Sequence, residues 1–436
     1  MQKEKNKTGL SDRIALYDSI EKDLISSIEE FGLDFSKTAY DQNSRASRLE
    51  NLASRGAKVS PGAYSVYTSK RSSACEACRH GVGSLTLPLT MKCNKSCFFC
   101  FNPNQEDYEP LRTKLMDWKP VLEDIKSSGF NLTHLAITGG EPLLFPRETE
   151  ACISFAKQSF DGLHTRLYTN GTKLNASMLR ALKKAGLDEI RFSIKLDEGK
   201  KSLEDSLLHI KEAKDYIPSV LVEMPVLPGT GEEMKELLHS LDDLGIFGIN
   251  LLEFCYPLNN AEAFAERGFE LKYPPFRVFY NYWYSGGFAI AKSEKLCFDL
   301  VEYSLENKLS LCVHYCSLEN KNTGQVFQQN KQFEKTYPQY QFSTIDFFLK
   351  TLLLFDEAAK SAKELLESHQ VGTELYRLDD NCIRIHPSLA GILAELPSAY
   401  ANTVGLSYNI VENQEGHPAL RELKVETIDL NRINRL

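Results

Sequence analysis

From residue 85 to about residue 254 the chain repeats one pattern six times: a short β-type run, then a helical stretch. The strand-like runs are SLTLPLT (84–90), THLAIT (133–138), HTRLYT (164–169), EIRFSI (189–194), SVLVEMPV (219–226) and GINLLEF (248–254). Between them lie helical pieces such as MDWKPVLEDIKSSG, ASMLRALKKAG, SLEDSLLHIKEAKDY and GEEMKELLHSLDDLG. ASMLRALKKAG and GEEMKELLHSLDDLG end in Lys-Lys-Ala-Gly and Asp-Leu-Gly, as helices closed by a C′ glycine do. Alternating β and α units predict a parallel sheet joined by right-handed crossovers. Six units in about 170 residues fit a partial (β/α)6 TIM-like barrel better than an eight-unit barrel of about 250. A flat doubly wound sheet is the alternative that periodicity leaves open. In either case ligands sit at the C-terminal ends of the strands.

The flanks read differently. Residues 1–74 are a polar, helical N-terminal region in which Ser11-Asp12 would cap a helix running through IALYDSIEKDLISSIEEF. The barrel is expected over 75–254, an irregular Cys- and aromatic-rich extension over 255–336, and a small α+β domain over 337–436. The order β-α-β-β-α-β in that last segment suggests a ferredoxin-like arrangement.

Lys+Arg of 51 against Asp+Glu of 59 gives a net charge of −8, and no Lys/Arg-rich block occurs. Phosphate binding needs a basic face, so no nucleic-acid partner is expected. The charged N-terminus has no apolar h-region, and no run of about 18 apolar residues occurs, so neither secretion nor a membrane span is expected. A cytoplasmic location follows, where thiols stay reduced. Eleven cysteines there point to metal ligation or redox chemistry rather than disulfides.

The segment MKCNKSCFFCFN sets Cys93, Cys97 and Cys100 in a C-x3-C-x2-C loop directly after the first strand. Three close thiolates suit a [4Fe–4S] cluster, and leave one iron without a protein ligand. Zinc is the competing reading, but its sites usually pair C-x2-C twice or add histidine.

At these residues the sequence resembles the radical S-adenosylmethionine (radical SAM) superfamily, whose motif is C-x3-C-x-aromatic-C, with Phe99 in the aromatic place. The resemblance implies that S-adenosylmethionine binds the open iron and is cleaved by one electron to methionine and a 5′-deoxyadenosyl radical. It also implies an external electron donor, a reductase such as flavodoxin or ferredoxin. Further marks of the superfamily follow in order at expected strand ends. Gly139, Gly140, Glu141 and Pro142 match the glycine-rich motif that meets the methionine amino group. Asn170 in LYTNG lies at the third strand end, Ser193 and Lys195 in RFSIKLD resemble the ribose motif, and Glu223 in EMPVLPG takes a cofactor-contacting place. Core packing is the competing reading for the last two motifs.

Cys75 and Cys78 form a C-x2-C pair before the first strand, and Cys312 and Cys316 a C-x3-C pair around His314. Together they are enough for a second [4Fe–4S] cluster or a zinc ion, with isolated thiols as the alternative. Cys255 and Cys297 are substitute ligands, and Cys152 and Cys382 read as core. Glu253 ends the sixth strand and would bind substrate or move a proton, unless it forms a structural salt bridge. His314 and Tyr315 are further catalytic candidates, with Tyr256 and Asn320 weaker ones; Tyr280, Tyr282, Trp283 and Tyr284 would line a channel, relay a radical, or simply pack. The favoured substrate is a peptide or protein, modified by crosslinking, epimerisation or methylation. A small-molecule or cofactor-biosynthesis enzyme, or a methyltransferase, is the alternative, although no separate cobalamin-binding unit precedes the cluster motif. A non-catalytic iron–sulfur carrier or redox sensor is a third, which would not need the cofactor-binding strand ends.

Overall fold

A computed structural model describes residues 9–39, 41–284, 286–401 and 403–430; the side chain of Trp283 also lies outside the description. The chain divides into two compact units, one of residues 31–275 and 285–321, the other of residues 1–30, 276–284 and 322–436.

The first unit carries a nine-stranded sheet and a two-stranded ribbon. Its strands are β1 (Lys58–Val59), β2 (Ser65–Tyr67), β3 (Ser84–Thr90), β4 (His134–Gly139), β5 (His164–Thr169), β6 (Glu189–Phe192), β7 (Ser219–Val226), β8 (Gly248–Glu253), the ribbon pair β9 (Cys255–Tyr256) and β10 (Phe288–Ala289), and β11 (Cys312–Cys316). The sheet order is β1-β2-β11-β8-β7-β6-β5-β4-β3. From β3 through β8 to β11 every pairing is parallel, and β2 and β1 close the far edge antiparallel. A doubly wound sheet would reverse its strand order at a switch point. This one runs in sequence, so the winding is that of a partial TIM-like barrel. The expected six strands have a seventh parallel neighbour, β11, inside the stretch read as irregular. Its five residues, CVHYC, are too short for a periodic signal.

Period-two alternation explains both faces of the sheet. Leu167, Ile190, Phe192, Val222, Ile249, Leu251, Val313 and Tyr315 pack outward with the helices into one apolar core. The residues between them, among them Tyr168, Arg191, Glu223, Asn250 and His314, turn inward and bond to one another.

The second unit is a six-stranded antiparallel sheet of β12 (Gln341–Phe342), β13 (Leu349–Phe355), β14 (Tyr376–Asp379), β15 (Cys382–Ile385), β16 (Gly405–Gln414) and β17 (His417–Thr427). Its order β14-β15-β13-β16 is that of a ferredoxin-like domain, extended by β17. The Asp356–Ser368 helix buries Ala358, Ala359, Ala362 and Leu366 against it. The N-terminal helix begins at Leu10 with Gly9 as its cap, so Ser11 and Asp12 lie inside the first turn rather than capping it. Tyr280 and Tyr282 belong to this unit and bond Gln329 and Glu21 through their hydroxyls, as packing residues do. Among the described residues no helix is long and apolar enough to cross a membrane.

Candidate active site

The cysteine loop leaves the C-terminal end of β3 and is tied to the end of β4. Gly140 N–H donates to Thr90 O (2.6 Å), Glu141 N–H to Lys92 O (2.8 Å), and Asn102 Nδ2 to Gly139 O (2.9 Å). Here glycine is required. Gly139 has φ 128°, and a Cβ would stand 2.0 Å from Thr90 O; one on Gly140 would stand 2.2 Å from Lys92 O. Glu141 is fully buried. Its carboxylate accepts from Leu143 N–H (3.0 Å), Thr169 Oγ1 (2.7 Å) and Asn170 N–H (2.7 Å), so it welds the ends of β4 and β5 together. Burial pushes its carboxyl up, against those three hydrogen bonds. Pro142 is buried beside it. Both brace the turn from behind.

Asn170 reaches across the mouth. Its Nδ2 donates to Asn94 Oδ1 (2.9 Å) and lies 3.9 Å from Cys93 Sγ, while Asn94 Nδ2 donates to Thr172 Oγ1 (2.6 Å). Lys195 Nζ donates to Ser193 Oγ (2.7 Å) and stands 4.8 Å from the centre of the Phe99 ring. Lys95 pairs with Glu198. Asn170, Thr172, Ser193, Lys195 and Glu198 border a cleft of roughly 390 Å³, and Phe99, Lys195, Met224 and Pro225 border a second of roughly 220 Å³.

Cys93, Cys97 and Cys100 are free thiols with solvent access, within electrostatic reach of one another. Burial pushes the Cys93 and Cys97 thiols up, and the Lys195 ammonium opposes it at Cys97. Among the described residues no group of three or more His, Cys, Asp or Glu side chains is gathered around a metal-ion position. Three thiols on one loop, beside a cleft with polar walls and a backbone stripped of Cβ atoms, fit an iron–sulfur cluster with one ligand position left to a small molecule.

Residues 87–241 match the model of the radical SAM superfamily. The likeness to that superfamily lies in this stretch, which holds the cysteine loop and strands β4 to β7. A Methanocaldococcus jannaschii protein, provisionally named a glycyl-radical enzyme activating enzyme, is 28% identical over 370 residues, covering 82% of this chain and 92% of that protein. A PqqA peptide cyclase of Gluconobacter oxydans is 34% identical over 110 residues, 25% of this chain and 29% of its own. Among solved structures, Streptococcus suis SuiB bound to S-adenosylmethionine is similar over 56% of this chain and 52% of its own, at 16% identity and a TM-score of 0.40.

The strand register places several expected site residues elsewhere. Glu253 shares the outward parity of Ile249 and Leu251. Its carboxylate pairs with Lys272 Nζ (2.5 Å) and accepts from Leu318 N–H (2.8 Å), so it is a structural salt bridge. Tyr315 also faces outward, donating to Glu294 Oε1 (3.0 Å) with its ring edge-on to Phe298. Tyr256 donates to Phe31 O (2.8 Å), and Cys297 is fully buried among the helices. Neither reaches the mouth. Glu223 borders neither cleft; it accepts from Arg191 Nη1 (2.5 Å) and Asn250 Nδ2 (2.7 Å) inside the barrel.

His314 also lies in that interior, its Nδ1 3.0 Å from Asn250 Oδ1, and burial holds its imidazole neutral, down to about 3. Cys312 turns to Ser69 Oγ at 3.2 Å instead of joining Cys316. Arg166, Tyr168, Glu189, Arg191 and Asn250 were not anticipated. Burial would raise the Glu189 carboxyl, but His164, Arg191 and Ser72 outweigh it and hold it at about 2. The alternation in HTRLYT and EIRFSI, polar at every second residue, is the signal that could have found Arg166, Glu189 and Arg191.

Proposed function

We propose that this radical SAM enzyme modifies a peptide or protein. Cys93, Cys97 and Cys100 would hold the [4Fe–4S] cluster, while Asn170, Ser193 and Lys195 border the cleft that S-adenosylmethionine would fill and Gly139 and Gly140 form the turn tied to the thiol loop. When bound, the cluster supplies the electron that splits S-adenosylmethionine into methionine and a 5′-deoxyadenosyl radical able to abstract hydrogen. The observation that carries this assignment is the Cys93–Asn94–Asn170–Glu141 linkage, in which a buried carboxylate locks the strand-end turn against the thiol loop. Gly139 and Gly140 let the turn lie directly against the backbone of Thr90 and Lys92, at the root of the thiol loop. Phe99 borders the smaller cleft, and the Lys195 ammonium offers a positive charge to a carboxylate or ribose oxygen at the boundary of both.

The peptide reading draws on the relatives. The Methanocaldococcus protein, similar over most of this chain, bears a name that implies a protein substrate, and the cyclase is named for a peptide. In the second unit β14 ends the sheet, and end strands are where strand addition grips an extended peptide. The enzyme reading is tested by reconstituting the protein anaerobically with iron and sulfide and measuring 5′-deoxyadenosine with a reductant. Wild type is expected to form it, and the Cys93→Ala/Cys97→Ala/Cys100→Ala variant is not; equal yields from the two would end the assignment. The peptide reading is tested by deuterium transfer into 5′-deoxyadenosine from labelled peptides. Transfer only from small-molecule pools would favour the cofactor-biosynthesis alternative.

A further inference from the structure

Inside the barrel, away from the Cys93–Cys100 loop, a second group of thiols meets a set of polar atoms that lack partners. Cys75 and Cys78 lie on the Ser73–Cys78 helix, one turn apart on the same side. Cys316 lies on β11, two residues beyond His314 and on the same face. Cys75 and Cys78 are within electrostatic reach of Cys316, although the chain separates them by most of the barrel.

Hydrogen-bond donors are aimed at these sulfurs. Cys75 Sγ accepts from Arg191 Nη2 (3.4 Å) and Asn250 Nδ2 (3.4 Å), and Cys316 Sγ from Asn320 Nδ2 (3.2 Å). Donors around sulfur stabilise thiolates and tune metal–thiolate centres. The Asn250 amide is oriented by its neighbours. Its Nδ2 donates to Glu223 Oε2 (2.7 Å), so its Oδ1 faces His314 Nδ1, which must carry the proton. His314 Nε2 then presents a lone pair, is buried, and has no hydrogen-bond partner. Donation of one ring N–H to an amide oxygen, with the other nitrogen bare, is how metal-ligating histidines are held.

Charge points the same way. Arg166 is 8% exposed, within electrostatic reach of Cys78, and its Nε and Nη1 have no hydrogen-bond partner. A buried guanidinium with bare N–H groups is costly unless an anion completes it. Arg191 does not share this excess, because Glu189 and Glu223 neutralise it.

We propose that Cys75, Cys78 and Cys316 bind a second iron–sulfur cluster in the barrel interior, with His314 Nε2 as fourth donor and Arg166 as counter-ion. Three thiolates and a neutral imidazole around an iron–sulfur core leave a net negative charge, which is what Arg166 lacks. Among the described residues these donors are not gathered into a metal-ion site, and iron is told from zinc by the metal count below. Cys312 is outside the set. This centre is independent of the Cys93–Cys100 site, and its test does not depend on that site working.

The experiment counts iron and acid-labile sulfide in anaerobically reconstituted full-length protein, with Mössbauer spectra of the wild type. About eight irons per chain are expected for the wild type, and about four for the Cys93→Ala/Cys97→Ala/Cys100→Ala variant, with matching sulfide. Adding Cys75→Ser and Cys78→Ser should remove the remainder, and His314→Ala should alter the Mössbauer or EPR signature of the second cluster. Arg166→Gln should lower its reduction potential, because a positive charge beside it is removed. Circular dichroism melts confirm that each variant is folded. A wild-type count of about four irons, a folded triple variant without iron, or zinc in place of iron in that variant would each overturn the proposal. The wild-type count decides even where a variant fails to fold.

Discussion

The two faces of the barrel sheet are built from the same strands, yet they do opposite work. Outward, Ile190, Phe192, Val222, Ile249 and Val313 are buried in a continuous apolar core. Inward, Tyr168, Arg191, Glu223, Asn250 and His314 form a hydrogen-bonded chain among partnerless atoms of Arg166 and His314. Burying so many polar groups costs stability unless they are paired, whereas the outer face stabilises by area alone. The inner face is therefore where chemistry is to be sought, and the outer face is where a polar residue needs only a structural explanation. Glu253 and Tyr315 illustrate the second case. Each is a polar side chain on the outer face, Glu253 held by an ion pair and a backbone N–H, Tyr315 by a hydrogen bond to a carboxylate.

The largest effect expected is at the mouth of the inner face. Cys93→Ala/Cys97→Ala/Cys100→Ala should reduce 5′-deoxyadenosine formation to background while leaving the thermal melt close to wild type, because the loop is solvent-accessible. A melt that collapses with activity would break the separation of loop and core. Next is the inner network itself. Arg191 and Glu189 are 3% and 2% exposed in their side chains, so Arg191→Leu strands two carboxylates. Removing one partner of such a pair costs about 3–5 kcal/mol, to be read as a lowered melting temperature. A loss under about 1 kcal/mol would mean that water, not Arg191, satisfies Glu189 and Glu223.

Much of this was legible in the sequence because it is local. The cysteine loop spans eight residues, and β3, β5 and β7 run over the same residues as the predicted strands. The positions of Glu253 and Tyr315 were not legible, because the face a strand-end residue takes depends on register against its neighbours. β11 escaped notice because it is short and is a strand by virtue of its pairings with β8 and β2. The meeting of Cys316 with Cys75 and Cys78 is a property of that pairing, and no local spacing encodes it. Arg166 and Arg191 could have been read from alternation, had charged residues within β-type runs been taken as inward-facing.

Two smaller effects sharpen the contrast within the inner face. Glu189 is held at about 2 against its ordinary 4.5. A lowered carboxyl contributes stability that is complete above about pH 4.5 and is lost as pH falls towards 2, on the order of 3 kcal/mol. Relative to wild type, Glu189→Gln should show a flatter stability curve across that window, measured by urea unfolding at stepped pH. An unchanged slope would remove Glu189 as the source. At Glu141 the substitution to Gln keeps the shape but sets an NH2 against Leu143 N–H, Thr169 Oγ1 or Asn170 N–H. One unsatisfied buried donor costs about 1–3 kcal/mol. Loosening of the turn should appear as roughly a tenfold slower 5′-deoxyadenosine rate with the iron content retained.

The smallest effect tests the outer face directly. Tyr315→Phe removes one hydroxyl that donates to Glu294 Oε1 at 3.0 Å and leaves the ring edge-on to Phe298. Arg45 also donates to that carboxylate oxygen, at 3.0 Å, so Glu294 is not left unpaired. The expected cost is therefore near the value of a single hydrogen bond, about 1 kcal/mol, visible as a small drop in melting temperature. The rate of 5′-deoxyadenosine formation and any substrate turnover should match wild type, because Tyr315 shares no cavity with the cysteine loop and its side chain points into the helical layer. If instead the rate fell strongly with the melt unchanged, Tyr315 would have to reach the reaction, and the division of the sheet into a chemical face and a packing face would be wrong at that position.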